Sequence, residues 1–364
     1  MEKLEEVFAQ YDITRKKIFR GRKMLMCEDE AGELYGIAEA KASEYRLVKE
    51  FWVKAYLKEH HFENIDQLIQ NREGRFLSED RYHTPFLLKK YYTGRECDVN
   101  SVTEVFEGAE NLAHFHEKSR GTGEWLYEKE CAYWEEYKKQ MEEEEREKDP
   151  FFLERTPVPN VEQMVDGMAV LELQIKKRNQ ELRRIAGYMK KPGRKGAFVT
   201  TYNDYAPQFL KQAGEVTENI HKQEREKTQC SLFYGLCHGN YQHHNILKLH
   251  RGWATVGMEN YHFGIQLEDL YDFLRKILEK NDYRFSYAQA VLEGYEKVKP
   301  LAKEEYWYLY TMLCYPHKFW KISNHYFNTK KTWVPPKTVE KLNKIVEQDV
   351  KKQAFLEKFE RMYV

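Results

Sequence analysis

No stretch of the 364-residue chain comes near the roughly 18 consecutive apolar residues that a membrane-crossing helix needs. Membrane insertion is therefore not expected. The N-terminal run Met1-Glu2-Lys3-Leu4-Glu5-Glu6 lacks the apolar core of a secretory signal, which predicts a protein made and kept in cytoplasm. The six cysteines, Cys27, Cys97, Cys131, Cys230, Cys237 and Cys314, form no CxxC pair and no zinc-like cluster. They are expected to be reduced and mostly buried. There is no excess of either charge, with 59 basic and 59 acidic residues, so no general attraction to nucleic acid or anionic membrane follows. Internal repeats and low-complexity linkers are also missing.

What is present is a long chain, too long for one compact core of ordinary size, which predicts two lobes. Apolar residues at 41% are enough to fill them, and charged residues at 32% cover the surface. Aromatics reach 15%, with 26 tyrosines. Large rings suit a well-packed soluble protein and equally a component of an assembly.

The first hundred residues read as mixed strand and helix. Lys16 to Cys27, a turn at Glu28 to Gly32, and Leu34 to Ala40 make a strand, turn, strand pattern. Ser43 to Glu59 has helical spacing at Leu47, Phe51, Ala55 and Leu57. Phe76 to Tyr82 and Pro85 to Tyr91 look like a hairpin. Beyond residue 100 the pattern is mostly helical, over 102–117, 132–148, 164–190, 205–226, 266–280, 287–297, 304–315 and 339–359. The run Glu142 to Glu145 reads as a solvated face, and Asp149-Pro150 ends its segment. Residues 232–249 break the helical pattern.

That break holds the most informative segment, Leu236-Cys237-His238-Gly239-Asn240-Tyr241-Gln242-His243-His244-Asn245-Ile246-Leu247. Kinase-like catalytic loops place an Asp beside the substrate hydroxyl and an Asn five residues later beside a metal, because both must converge on one phosphoryl group. His238-Gly239-Asn240 resembles the His-Gly-Asp of choline kinases and aminoglycoside phosphotransferases, and Asn245 has the offset of the metal-binding Asn. Asp269, in Leu267-Glu268-Asp269-Leu270, matches the Asp that opens a helix and braces such a loop.

Further blocks are similar to the CotS family of bacterial spore-coat proteins, which are kinase-like. They are Gly94 to Asp98, Leu112-Ala113-His114-Phe115-His116, Lys177 to Arg184, Asp272 to Lys280, and Tyr315 to Tyr326 followed by Trp333-Val334-Pro335. Together they span residues about 13 to 358. The resemblance implies an α+β, bilobal protein-kinase-like fold. A small mixed lobe would cover 1–92, and a large, mainly helical lobe 93–364, with the loop at 238–245. It also implies residence in the mother-cell cytoplasm and then the spore coat, among other spore-coat proteins.

The chemistry departs from that pattern. Asn240 stands at the catalytic-base position, and an amide does not usefully accept the substrate proton. Gly257 stands where the metal-binding Asp is expected, on an apparent strand. Glu259 is the nearest substitute, since two residues along a strand keep the same face. The small-lobe position of the phosphate-holding Lys holds Ala38, with Lys41 three residues on as a weak candidate. Glu44 or Glu50 could pair with such a Lys, although ordinary helix-surface charge is the favoured reading. Arg20-Gly21-Arg22-Lys23 is a basic turn rather than a phosphate loop. These losses predict a degenerate site with no cofactor. The alternative is an ATP-dependent phosphotransferase acting on a hydroxyl compound, with Asn245 and Glu259 holding magnesium. A third reading is a scaffold that binds ATP structurally.

Two other constellations are set aside. His238, His243, His244, His250 and His262 lack zinc-ligand spacing, and His238 and His244 are expected to hold the loop. The aromatic and lysine-rich belt from Trp307 to Trp333 is expected to form core and a partner-facing surface, with no nucleic-acid role.

Overall fold

A computed structural model describes residues 2–22, 24–140, 157–193, 195–226, 230–329 and 336–364. The acidic run 142–145, Asp149-Pro150, Lys23 and Trp333-Val334-Pro335 lie outside the described residues. The chain forms two compact units, one of residues 1–163 and 234–269, the other of 164–233 and 270–364. The 92/93 boundary expected between lobes falls within the first of these.

The first unit begins with helix α1 (Glu2–Phe8) and strands β1 (Arg15–Arg20), β2 (Leu25–Asp29) and β3 (Leu34–Glu39). Helix α2 (Glu44–Glu59) follows, then β4 (Gln67–Ile69), β5 (Leu77–Glu79) and β6 (Pro85–Tyr91). The stretch expected as one strand from Lys16 to Cys27 is interrupted at Gly21, whose N–H closes a tight turn onto Met24 O at 2.9 Å. A Cβ on Gly21 would lie 2.9 Å from that same oxygen, so glycine suits the turn. The antiparallel sheet has the order β1-β2-β3-β6-β4, and β5 also pairs with β6.

Strand β6 is central, and its alternation organises the unit. Leu88 joins Val7, Phe8, Tyr11, Cys27 and Ile37 in one apolar cluster. Its neighbour Leu87 points the other way, to Ala40, Leu47, Leu68 and Phe76. Leu47 lies on α2, which begins at the Ser43 cap. Lys89, two residues after Leu87, therefore faces the α2 side of the sheet.

The unit continues through β7 (Arg95–Glu96), α3 (Val102–Lys118) and α4 (Thr122–Gln140). Helix α4 starts ten residues before the periodicity suggested. Strand β10 (Ile246–Lys248) pairs with β7 and with β11 (Trp253–Thr255). Strand β12 (His262–Ile265) pairs with the end of β9 (Ser231–Cys237).

The second unit is mainly helical. Strand β8 (Gln163–Asp166) leads into α5 (Gly167–Met189), where Asp166 caps the N–H groups of Met168 and Ala169. Helix α6 (Ala197–Arg225) follows, eight residues longer at its start than expected. Helix α7 (Leu267–Lys280) enters the unit at Leu270, and α8 (Phe285–Glu296), α9 (Lys303–Cys314), α10 (His317–Asn328) and α11 (Pro336–Tyr363) complete it. Much of the aromatic belt is core. Phe319 stacks on Tyr202 and Phe209 at 5.2 and 4.4 Å, and Trp307 and Tyr308 are buried. The six cysteines are free, four of them buried. No helix among the described residues is long and apolar enough to cross a membrane.

The Asp166 cap gives a direct check on this architecture. Asp166→Ala is expected to lower unfolding free energy by about 1 kcal/mol, the usual worth of such a cap, as read from urea denaturation.

Candidate functional site

The segment 238–245 is held from three sides, all within the first unit. Asp269, in the first turn of α7, accepts the N–H of His238 at 2.6 Å and of Gly239 at 3.0 Å. His116 Nε2 of α3 lies 3.5 Å from the same carboxylate. Burial pushes the Asp269 carboxyl up, but His116, His238 and the backbone donors outweigh it and hold it below its ordinary value. The bracing role expected of Asp269 thus has a geometric basis.

His238 is fully buried. Its Nδ1 accepts the Asn240 N–H at 3.2 Å, so Nε2 carries the proton and donates to Val256 O at 3.2 Å. Both nitrogens are used by a neutral ring, and burial holds its pKa below the ordinary value. Gly239 has φ of +73°, and a Cβ there would lie 2.1 Å from Asn260 O, so only glycine fits. Tyr241 is buried and donates to Gly108 O at 2.7 Å, tying the loop to α3. His244 Nδ1 lies 2.6 Å from Glu96 Oε2, and Arg22 donates to the same carboxylate. Burial pushes Glu96 up, while Arg22 and His244 outweigh it and lower its pKa.

Asn240 is half-buried; its Oδ1 accepts from Gln242 Nε2 at 3.0 Å. Asn245 is buried and donates from Nδ2 to Asn240 O at 2.8 Å. The structure thus brings Asn240 and Asn245 together as the motif spacing implied. Asn245, Gly257, Glu259, Glu96, His244 and Tyr91 line one cleft of about 230 Å³. That is slightly below the ~300–1,000 Å³ of usual small-molecule sites. Met24, packed over Gly36, forms part of its wall.

The strand expected to carry Gly257 and Glu259 ends at Thr255. Gly257 is left-handed (φ 80°, ψ 42°) and opens a 3₁₀ turn, Met258–Asn260. A residue separation of two therefore does not preserve one face here, and Glu259 is directed by a turn. A Cβ at Gly257 would lie 3.1 Å from the Asn245 amide.

The small lobe differs more sharply from expectation. Lys41 is exposed, in the loop before α2. Glu44 caps the N–H groups of Phe76 and Leu77. Glu50 is no surface charge: it is 2% exposed and meets Lys54 Nζ at 2.6 Å and Lys89 Nζ at 3.1 Å. Buried Asp66 lies 3.0 Å from Lys54 and 3.3 Å from Lys89. Lys89 also reaches Glu259 Oε1 at 2.9 Å.

Lys89 was missed in the sequence. Its signal lay in β6, where Leu87-Leu88-Lys89 sets a lysine two residues beyond an inward leucine. The cross-strand register pairs Ala38 with Leu87 and Gly36 with Lys89. A lysine on β6 thus stands diagonal to the vacant position 38, and Gly36 opposite it adds no side chain. Burial disfavours the Lys89 ammonium, but Asp66, Glu50 and Glu259 more than offset this and raise its pKa. Burial likewise pushes Asp66 up, yet the two lysines bring it down to about 2.

Comparison with known proteins bears on the fold. Residues 221–359 match the protein family described as "Spore coat putative kinase YutH". Spore coat protein S of Bacillus subtilis (strain 168) is 24% identical over 170 residues, 46% of this chain and 48% of that protein. The chain thus spans about half the length of the curated relative it matches. An aminoglycoside phosphotransferase from Alicyclobacillus acidocaldarius superposes with a TM-score of 0.73 at 15% identity, over 99% of this chain and 96% of that one. The fold is that of the kinase-like phosphotransferases. A spectinomycin phosphotransferase in complex with ADP and spectinomycin gives a TM-score of 0.60 at 11% identity, over 97% and 98% of the two chains.

Two outcomes test this site. Lys89→Met leaves Glu259 unpaired and two buried carboxylates facing Lys54 alone, and is expected to cost about 3–5 kcal/mol in denaturant titration. Buried neutral His238 has a lowered pKa, so the unfolded chain protonates first. Its contribution to stability is full above pH 6.5 and falls as pH drops below that value. The urea midpoint should therefore fall between pH 7 and 5, and His238→Gln should shrink that slope by about one proton.

Proposed function

We propose that this chain is a spore-coat-associated protein with a kinase-like fold whose cleft has given up phosphoryl transfer, and that it works by binding within the coat. The spore-coat family match and the likeness to a spore coat protein support the setting, and with it a route from mother-cell cytoplasm to coat alongside other coat proteins. The observation that carries the functional half is the Lys89–Glu259 ion pair at 2.9 Å.

Phosphoryl transfer rests on positioning and charge neutralisation. A nucleotide's phosphates need a cation, and a magnesium ion bridging them needs a carboxylate. Here Lys89 could supply the cation and Glu259 the carboxylate, but each neutralises the other. The buried group contains two lysines, Lys54 and Lys89, against three carboxylates, Glu50, Asp66 and Glu259. Its surplus is negative, which disfavours polyphosphate. Asn240 adds an amide where a base would stand, and Gly257 adds no ligand. These residues do not fit ATP with magnesium.

Calorimetric titration with ATP, with and without magnesium, tests the reading. The unmodified chain is expected to give no heat up to millimolar nucleotide. Glu259→Ala, which removes the negative surplus and leaves Lys89 paired only with Glu50 and Asp66, is expected to bring binding into the measurable range. Asn240→Asp with Gly257→Asp leaves the ion pair in place and is expected not to. Magnesium-dependent binding by the unmodified chain would overturn the proposal and favour a phosphotransferase acting on a hydroxyl compound. Binding without magnesium would favour a nucleotide scaffold.

A further inference from the structure

Three sequence blocks find no use in the cleft: Lys177 to Arg184, Asp272 to Lys280, and Tyr315 to Tyr326. They belong to α5, α7 and α10, and they meet inside the second unit. The Arg178 guanidinium lies 5.7 Å from the Tyr315 ring and 5.3 Å from Trp320. The Arg275 guanidinium lies 5.7 Å from the Tyr271 ring. His317 sits between, 6.3 Å from Tyr271 and 5.2 Å from Trp320.

Each of these residues except Trp320 has a buried polar atom with no hydrogen-bond partner: Arg178 Nη1, Tyr271 Oη, Arg275 Nε, Tyr315 Oη and His317 Nδ1. Tyr271, Arg275 and Tyr315 are themselves more than nine-tenths buried. Buried polar atoms are ordinarily paired, so five orphans on residues linked in one chain of ring contacts through Trp320 and His317 call for a missing partner. All five can donate: two guanidinium N–H groups, two hydroxyls, and the imidazole as its Nδ1–H tautomer.

The carboxylates nearby are already engaged. Asp272 and Glu279 each receive Arg275 at 2.9 Å. Glu181 receives Trp320 Nε1 at 2.7 Å and Asn324 Nδ2 at 3.1 Å. Asp349 receives Gln208 and Gln212, both at 2.7 Å. Lys352 spends its ammonium on the carbonyls of Cys314 and Tyr315. Arg275, Tyr315, His317, Lys318 and Lys352, together with the engaged carboxylates of Glu279 and Asp349, wall a cavity of about 30 Å³, while Arg178 and Tyr271 stand behind this lining. One water needs roughly 10–15 Å³, so there is space for a small ion.

We infer that this cluster is a binding site for a small oxyanion, a phosphate or carboxylate group, gripped by Arg178 and Arg275 with the hydroxyls of Tyr271 and Tyr315. The inference is independent of whether the cleft binds nucleotide. A set of orphan donors without an orphan carboxylate fits an anion, since an anion can satisfy several donors at once. A lone water accepts only two hydrogen bonds and would leave most of the set unpaired.

Equilibrium dialysis of the full chain against labelled inorganic phosphate and, separately, labelled acetate tests this at constant ionic strength set with sodium chloride. One saturable equivalent per chain is expected with at least one of the two, and the stronger ligand names the source chemistry. Tyr315→Phe, which removes a single oxygen from a buried ring, and Arg178→Met should each weaken uptake at least tenfold. Lys211→Met, an exposed change on α6, should not. The absence of saturable uptake of either anion by the unmodified chain would overturn the site and leave water as its occupant. Uptake that is unchanged in both cluster variants would overturn it equally.

Discussion

The first unit is organised around one buried ammonium. Lys89 sits on the central strand of the sheet, beneath α2, with its charge shared among Glu50, Asp66 and Glu259. These partners come from α2, from the segment before β4, and from the turn after β11, so the lysine links parts of the chain far apart in sequence. An unpaired ammonium could not stay charged at that depth. The positions of all three segments are therefore coupled to one another through it. Replacing such a group with apolar residues often leaves stability unchanged, so its value lies in fixing one arrangement rather than in net energy.

The loop at 238–245 is held by a framework of its own. Asp269, neutral His238 and left-handed Gly239 make a closed set of hydrogen bonds that needs neither nucleotide nor metal. Tyr241 anchors the same loop to α3. Exchange of an acid for the amide of Asn240 leaves those bonds in place, because they run through the backbone at that residue and the imidazole beside it. The framework of the loop is thus physically separable from the side chain that stands at position 240.

Much of this was legible in the sequence, for identifiable reasons. The five-residue offset from Asn240 to Asn245 is a property of the short loop, and Asp269 was located by its resemblance to the kinase-like pattern. Helix α2 followed from its apolar period at Leu47, Phe51, Ala55 and Leu57. The hairpin of β5 and β6 followed from alternation. Glu259 lines the cleft beside Asn245, but from a 3₁₀ turn opened by left-handed Gly257 and not along the expected strand, which ends at Thr255. Lys89 was invisible for a different reason. Its meaning depends on which strand lies beside β3, and β6 joins β3 across some fifty residues of intervening chain. Nothing local to Lys89-Lys90 says which of the two faces α2; the burial of Leu87 against Leu47 does.

The charge balance of the network accounts for the place of Glu259 in it. Two lysines neutralise two carboxylates, and Glu50 and Asp66 are the two that are fully buried. A third carboxylate at the same depth would be left without a counter-charge, at a cost of several kcal/mol. Glu259 avoids this because its side chain is 45% exposed, so water shares the work of solvating it. The same exposure puts its other face in the cleft beside Asn245 and Gly257. Glu259 is thus both the least buried member of the network and the one that separates its cation from anything entering the cleft. A carboxylate at 257 in addition to Glu259 would place two acids within one short turn, and Lys89 alone could not answer both.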